Sequence, residues 1–168
     1  MLDIPFGKFR DKGTPVDNLS NYDSAEENII YICDEEQFRM GKMLFATKYG
    51  MIKKVDGAEF VVSKRTITAT KLQEEDEVVS IQPVNENQNI VLQTEGGYFL
   101  RFLAEEVAKK KKGAIGVRGI KLQKTDILEN VYLFEEGTEI KVPYREKEVT
   151  LNRLKLAKRD GMGTKTRG

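Results

Sequence analysis

The sequence predicts an all-β fold made of blade-like repeats, propeller-like, with about three to four blades in an open or partial ring. Three observations carry this. Residues 43–81 and 90–131 align with one another, each contains apolar runs joined by a glycine turn, and helical periodicity is nearly absent. A period of about 47 residues with roughly four strands per unit suits a blade.

In the first copy, MLFAT and MIKKV flank Lys-Tyr-Gly; in the second, IVLQT and YFLRF flank Glu-Gly-Gly. Both read as hairpins, with Gly50 and Gly97 at turn positions that favour positive φ. Thr47 aligns with Thr94, Lys54 with Arg101, and KLQEED (71–76) with KLQKTD (121–126). The offset grows from 47 at the glycines to 50 at KLQ, so the second copy has three extra residues, where KKKKGAIGVRG lies. EEDEVVSI and KTDILENV each read as an acidic turn followed by a strand. AEEVAKKKK has weak helical spacing, but its flanking glycines predict a loop. CDEEQFRMG (33–41) and QPVNENQN (82–89) read as loops between units.

The ends read as incomplete copies. Residues 6–32 resemble a second half, with a basic glycine-containing loop, a strand, an acidic stretch and the apolar strand NIIYI; residues 149–168 resemble a first half plus its basic loop. The expected organisation is one domain over 1–168, with a half-repeat at 6–40, repeats at 41–86 and 87–131, and a half-repeat at 132–168.

Composition narrows the function classes. With 33% charged and 39% apolar residues the chain suits a folded, water-exposed protein. No apolar run approaches the roughly 20 residues that span a bilayer, and no amino-terminal export leader is evident. The single cysteine, Cys33, is expected as a small buried hydrophobe in a strand, in a reducing compartment. With no histidine, the commonest general base and metal ligand is missing, and the acidic runs at 34–36 and 74–77 read as solvated loops. Neither catalysis, a cofactor nor a metal is expected of this chain.

The formal net charge of +1 conceals an alternation. Residues 1–41 carry net −5, 42–71 net +5, 72–96 net −6, 97–125 net +6, 126–140 net −5 and 141–168 net +6. In each repeat the basic block covers the second hairpin strand and the following loop, so stacked units would present one basic and one acidic rim. A single lysine run is most simply a solubilising loop, but its recurrence in register favours binding to a polyanion. Glycines beside the lysines let the backbone approach a phosphate, and lysine and arginine add sequence-independent affinity through counterion release. No base-reading helix, zinc finger or aromatic stacking motif is present, so backbone and shape readout of duplex DNA is the expected mode. The candidate contacts are Arg10 and Lys12 in the first half-repeat, Lys64 and Arg65 in the next loop, Lys109, Lys110, Lys111, Lys112 and Arg118 in the lysine loop, and Lys158 and Arg159 in the last.

MLFATKYGMIKKVDGAEF, followed by GGYFLRF and EVAKKKKGAIGVRGIKLQKTD, closely resembles the carboxy-terminal domain of the A subunits of bacterial type IIA topoisomerases, DNA gyrase A and topoisomerase IV A. The opening DIPFGKFRDKGTPVDNL is similar to a linking segment of that domain. The resemblance covers residues 3 to about 131 well and 149–168 more loosely.

It implies a β-pinwheel whose blades exchange a strand and whose basic rim binds and bends double-stranded DNA. The implied partners are the remainder of the A subunit, with the ATPase B subunit joined through it, in an ATP-dependent enzyme acting on cytoplasmic, nucleoid-associated DNA. The breakage tyrosine of the family lies in a domain not represented here, so none of Tyr22, Tyr31, Tyr49, Tyr98, Tyr132 and Tyr144 is assigned that role. The gyrase wrapping box, a glutamine, two basic residues, two glycines, a basic residue and a glycine, is met only by AKRDGMG (157–163), where Ala157, Asp160 and Met162 depart from it. KKKKGAIG is a looser relative. These departures favour a topoisomerase IV-like subunit. Family members commonly have five or six blades, so the length implies either an excised fragment beginning at an added Met1 or a reduced subunit. The alternative readings are a propeller-like protein-interaction scaffold and an RNA-binding β-barrel.

Overall fold

The computed structural model describes residues 2–166. After a 3-10 turn at Val16–Asn18 comes a short helix, α1 (Glu35–Met40), followed by strands β1 (Lys42–Thr47), β2 (Met51–Asp56), β3 (Val78–Val84), β4 (Gln88–Thr94) and β5 (Tyr98–Leu103). The remaining strands are β6 (Val117–Arg118), β7 (Leu128–Glu135), β8 (Lys141–Tyr144), β9 (Lys147–Thr150) and β10 (Thr164–Lys165). They form two four-stranded blades, ordered β3-β1-β2-β6 and β7-β4-β5-β10, and a two-stranded hairpin, β8-β9. All pairings within the sheets are antiparallel.

The two central hairpins form where the glycine turns predict them, and each is fixed by the same device. Gly50 and Gly97 take φ of 77° and 86°, a region that costs an L side chain strain. Thr47 Oγ1 accepts from Met51 N (3.2 Å), and Thr94 Oγ1 accepts from Tyr98 N (3.1 Å). An aspartate from the following turn closes each hairpin end. Asp76 Oδ1 accepts from Tyr49 N and Glu77 N, and Asp126 Oδ1 accepts from Gly96 N and Ile127 N. Asp76 is buried, so the acidic stretch 74–77 is a structural tie as well as a solvated run.

Both blades are completed from the next unit along the chain. β6 pairs with β2 through Met51–Arg118 and Ile52–Val117, and β10 pairs with β5 through Phe99–Thr164 and Tyr98–Lys165. Parallel bridges between Lys54 and Lys109, and between Arg101 and Leu156, anchor the loops that lead to these donated strands. Every one of these positions recurs after 47 residues (54 to 101, 109 to 156, 117 to 164). The third unit contributes the β8-β9 hairpin and then β10.

The main core lies between the blades, where Leu44, Ala46 and Ile52 of the first meet Ile90, Leu92, Leu100 and Phe102 of the second. Blade 2 packs its other face on the third-unit hairpin through Val91, Phe99 and Phe134 against Val142, Tyr144 and Val149. Blade 1 has its other face, Met43, Phe45 and Val55, covered by Phe38 of α1, Phe60 and Tyr31. Phe60 stacks on Phe45 (5.7 Å between centroids) and meets Phe38 edge-on (5.2 Å).

The amino-terminal region departs from the sequence expectation. Residues 33–41, expected as a loop, contain α1, which starts where Asp34 accepts from Gln37 N (2.8 Å) and rests Phe38 on blade 1. Among the described residues there is no strand before Lys42, so neither strand expected in 6–32 is formed; NIIYI carries no regular structure and has no neighbouring strand to complete a ladder. Cys33 accordingly is half-buried beside α1 and lies outside any strand.

Candidate nucleic-acid interface

The lysine loop grows out of the blade in a fixed sequence of contacts. A 3-10 turn over Ala104–Glu106 ends β5, and the chain then crosses β2: Lys54 N donates to Ala108 O (3.2 Å) and Lys110 N to Lys54 O (2.8 Å). A tight turn follows, with Ala114 N donating to Lys111 O (3.0 Å). Gly116 then enters at φ 108°, and a Cβ there would sit 2.5 Å from Ile52 O. The last loop repeats this path, with Ala157 N donating to Arg101 O (2.9 Å) and Gly163 at φ 76° with its Cβ position 2.6 Å from Phe99 O. Both glycines are imposed by the backbone of the blade beneath.

Beneath the lysine loop lies a buried cation that the sequence did not single out. Lys53 is 1% exposed, and its Nζ donates to Lys112 O and Ala114 O, each at 2.6 Å, and to Lys111 O at 3.4 Å. Phe45 lies 5.3 Å away on its other side. Burial pushes the Lys53 ammonium below its ordinary value. Three loop carbonyls thus face inward on Lys53, while the side chains of Lys109, Lys110 and Lys111 are exposed. The corresponding place in blade 2 is held by apolar Leu100, whose Cδ1 lies 3.3 Å from the Cβ position of Gly161.

The rim cations are unequally engaged. Lys109 Nζ pairs with Asp56 Oδ2 (2.5 Å), and Lys111 Nζ reaches Glu59 Oε1 (3.5 Å) while its side chain is 88% exposed. Lys112 is tied on both sides of Glu59, donating from its N to Oε2 (3.0 Å) and from its Nζ to the main-chain O (2.9 Å). Arg118 grips Asp160 with two nitrogens, Nε to Oδ1 and Nη2 to Oδ2 (3.0 Å). Arg159 donates from its N to Glu106 Oε2 (2.9 Å), from its Nε to Glu106 O (3.2 Å), and from Nη1 to Arg118 O. Lys110 and Lys158 are exposed and form no ion pair among the described residues. The basic loops are therefore laced with carboxylates from the turns around them.

The structure brings the lysine loop and the last loop together. Asp160 N donates to Gly119 O (2.8 Å) and Lys121 N to Gly161 O (2.9 Å), beside the Arg118–Asp160 pair. Lys64 and Arg65 stand in the equivalent loop of the first unit, where among the described residues no earlier strand meets them; they line a shallow pocket with Asp3, Asn18 and Glu35. Arg10 and Lys12 lie in the exposed amino-terminal segment. Basic pairs nevertheless recur at 64–65, 111–112 and 158–159, each 47 residues after the last, which is the signal in the sequence that ties these loops to one period. Sequence reasoning missed Lys53, the acids Asp56, Glu59, Glu106 and Asp160, and Lys165, whose Nζ lies 5.4 Å from the centre of the Tyr98 ring. Among the described residues no group of three potential metal ligands occurs, and no helix is long and apolar enough to cross a membrane.

Residues 41–85 and 88–135, more than half of the chain, match the family described as the DNA gyrase C-terminal domain, beta-propeller. The chain belongs to this family. The two matched segments coincide with the two units that carry the blades' own hairpins. Among relatives, the chain is 34% identical over 135 residues to the DNA gyrase A subunit of Lawsonia intracellularis (79% of this chain, 16% of that protein). It is 28% identical over 139 residues to the DNA topoisomerase 4 A subunit of Bacillus subtilis (82% of this chain, 17% of that protein). The chain thus spans about a sixth of the length of these relatives. A solved C-terminal domain of DNA topoisomerase IV superposes with a TM-score of 0.80 at 26% identity, covering 94% of this chain and 50% of the other. The C-terminal domain of DNA gyrase A superposes with a TM-score of 0.74 at 21% identity, covering 93% and 53%, a likeness of fold.

Proposed function

We propose that this DNA gyrase C-terminal-family domain binds and bends duplex DNA without sequence preference, as the accessory part of a type IIA topoisomerase A subunit. The observation that carries the reading is the recurrence, after 47 residues, of a basic loop anchored on a blade edge. Bending a site of 20–30 base pairs by 40–90° costs on the order of 1–6 kcal/mol, so contacts from successive loops must act together. In this reading Arg10, Lys12, Lys64, Arg65, Lys109 to Lys112, Arg118, Lys158 and Arg159 form the phosphate-facing set, with Lys110, Lys111 and Lys158 the most open to a ligand. The rest of the A subunit would supply the breakage tyrosine, and the ATPase B subunit would join through it, on nucleoid DNA in the cytoplasm. The domain would position DNA for strand passage, more in the manner of topoisomerase IV than of gyrase. Supporting that preference, Asp160 places an acid inside the nearest match to the wrapping box and binds it to Arg118. The successive basic loops would then act as stations along one duplex.

Two measurements test this. Affinity for linear duplex is expected to fall steeply between about 50 and 200 mM salt, and replacing Lys109–Lys112 by glutamate to weaken it for every sequence alike. Binding indifferent to both overturns the DNA reading and favours the protein-interaction scaffold, the use to which the carboxylate-laced loops of this domain would otherwise point. Ligation of nicked circular DNA with the domain then reads its topology: little linking-number change is expected, and a marked positive shift would indicate gyrase-like wrapping instead.

A further inference from the structure

Asp160 stands out within the interface. It lies at the tip of the last loop with φ 69°, a left-handed conformation that aspartate tolerates but glycine suits better. Gly113 occupies the equivalent tip of the lysine loop, 47 residues earlier, with open space around its Cβ position. In that conformation both carboxylate oxygens of Asp160 meet the guanidinium of Arg118, which belongs to β6 of the neighbouring blade. Two parallel N–H···O bonds from a guanidinium are also the geometry by which arginine takes a phosphate. Arg159 and Lys121 add positive charge close to the same carboxylate. Each group of the pair holds the other charged: the carboxyl is driven below, and the guanidinium above, its ordinary value.

We propose that Asp160 is a resident phosphate mimic, an acid that occupies the anion site formed by Arg118, so that a duplex phosphate must displace it. The inference rests on the DNA-binding reading above. Asp160 thereby sets how tightly, and above what salt concentration, the domain releases DNA. The backbone ties between the loops, Asp160 N to Gly119 O and Lys121 N to Gly161 O, do not depend on the carboxylate, so the site stays assembled when the acid swings away.

The test compares the full 168-residue chain with Asp160→Asn, Asp160→Gly and Arg118→Gln, and with Arg118→Gln/Asp160→Asn, on a fluorescent 30-base-pair duplex across a salt series. Asp160→Asn is expected to bind about tenfold more tightly at 50 mM salt, with the logarithmic salt slope steeper by about one contact. Asp160→Gly is expected to do the same, and it relieves the backbone strain, so a gain in either variant supports the proposal even if the other folds poorly. The double variant is expected to bind no better than Arg118→Gln alone. Unchanged or weaker binding by both Asp160 variants, beside salt-dependent binding by the parent, overturns the mimic and leaves the DNA reading standing. Absence of salt-dependent binding by the parent and all variants overturns both.

Discussion

Lys54 and Arg101 hold the same place in successive blades, and neither reaches the rim. Lys54 Nζ, buried in the second strand of its hairpin, donates to Glu86 Oε2 (2.5 Å) and Ala104 O (3.0 Å). Arg101 donates from Nε to Asn89 Oδ1 (3.0 Å), from Nη1 to Asn152 O (2.7 Å) and from Nη2 to Glu136 Oε2 (2.9 Å). Each cation therefore fastens the 3-10 turn of the next unit to its own blade, which places part of the positive charge read from the sequence inside the fold.

Arg101→Met is expected to destabilise the domain by about 3 kcal/mol, because it strands buried acceptors that the arginine now satisfies. Hydrogen exchange should show the loss concentrated in residues 147–156, with β1 and β2 little affected.

For Glu86, Lys42 first and Lys54 second hold the carboxyl below the usual glutamate value. A carboxylate whose folded pKa is depressed contributes stability that is full above its unfolded value and is lost as pH falls through the folded one. Urea unfolding from pH 7 down to pH 3 should therefore show a decline that Glu86→Gln makes shallower. An identical decline in parent and variant would remove Glu86 from the account.

Lys53→Ala leaves three carbonyls of the lysine loop without their donor, and a loss of about 2–3 kcal/mol in urea unfolding is expected. Lys53→Met, which follows Leu100 of blade 2 in being apolar, is expected to cost less than alanine. Because burial lowers the folded pKa of Lys53, the unfolded chain holds that proton to higher pH, so stability rises with pH in the alkaline range just below the ordinary lysine value. Lys53→Met should abolish that rise.

Gly116→Ala and Gly163→Ala each place a Cβ within 2.6 Å of a backbone carbonyl oxygen at a positive φ. A loss of about 2–4 kcal/mol in each, read as a fall in Tm, is expected from the combined clash and strain. Gly113→Ala, at an open position of negligible contact, should stay within about 0.5 kcal/mol of the parent.

Lys111 and Lys158 occupy equivalent outward positions one period apart, whereas Lys112 and Arg159 spend their donors on Glu59 and Glu106. In duplex titrations Lys111→Gln and Lys158→Gln should each reduce the salt slope by about one while leaving Tm unchanged. Lys112→Gln should lower Tm with a smaller change in slope.

The two central hairpins and their order were legible because they depend on local rules: alternating apolar runs, a glycine at a left-handed turn, and a repeat that put Thr47 over Thr94. The β8-β9 hairpin was missed, because the last half-repeat reads as a first half only from residue 149. The basic loops were legible as loops, whereas 33–41, read as a loop, holds α1, and 82–89, also read as a loop, is mostly the end of β3 and the start of β4 joined by a tight turn. Their electrostatic state was not, since Glu59 lies 52 residues before Lys111 and Asp160 lies 42 residues after Arg118, and only the folded blade edge brings these charges together. Lys53 was hidden for a related reason: in sequence it is one of two lysines in a strand, and nothing local says that three carbonyls will close over it. α1 was missed because its six residues are too few for a clear helical period, and it is held by Phe38 packing on blade 1. NIIYI has the composition of a strand, but no neighbouring strand meets it, and composition alone forms no ladder.

The donated strands β6 and β10 also give the domain a mechanical direction. A pull on the carboxy-terminal side is borne first by two residue pairs, Phe99–Thr164 and Tyr98–Lys165. Only after that short clasp opens does the load pass through the Arg101–Leu156 bridge and the β8-β9 hairpin to β7 on β4 and, beyond it, to the equally short clasp of β6 on β2. The units would peel in series from one end, each sheltering the one before it, because the two clasps are alike in length and the outer one opens first.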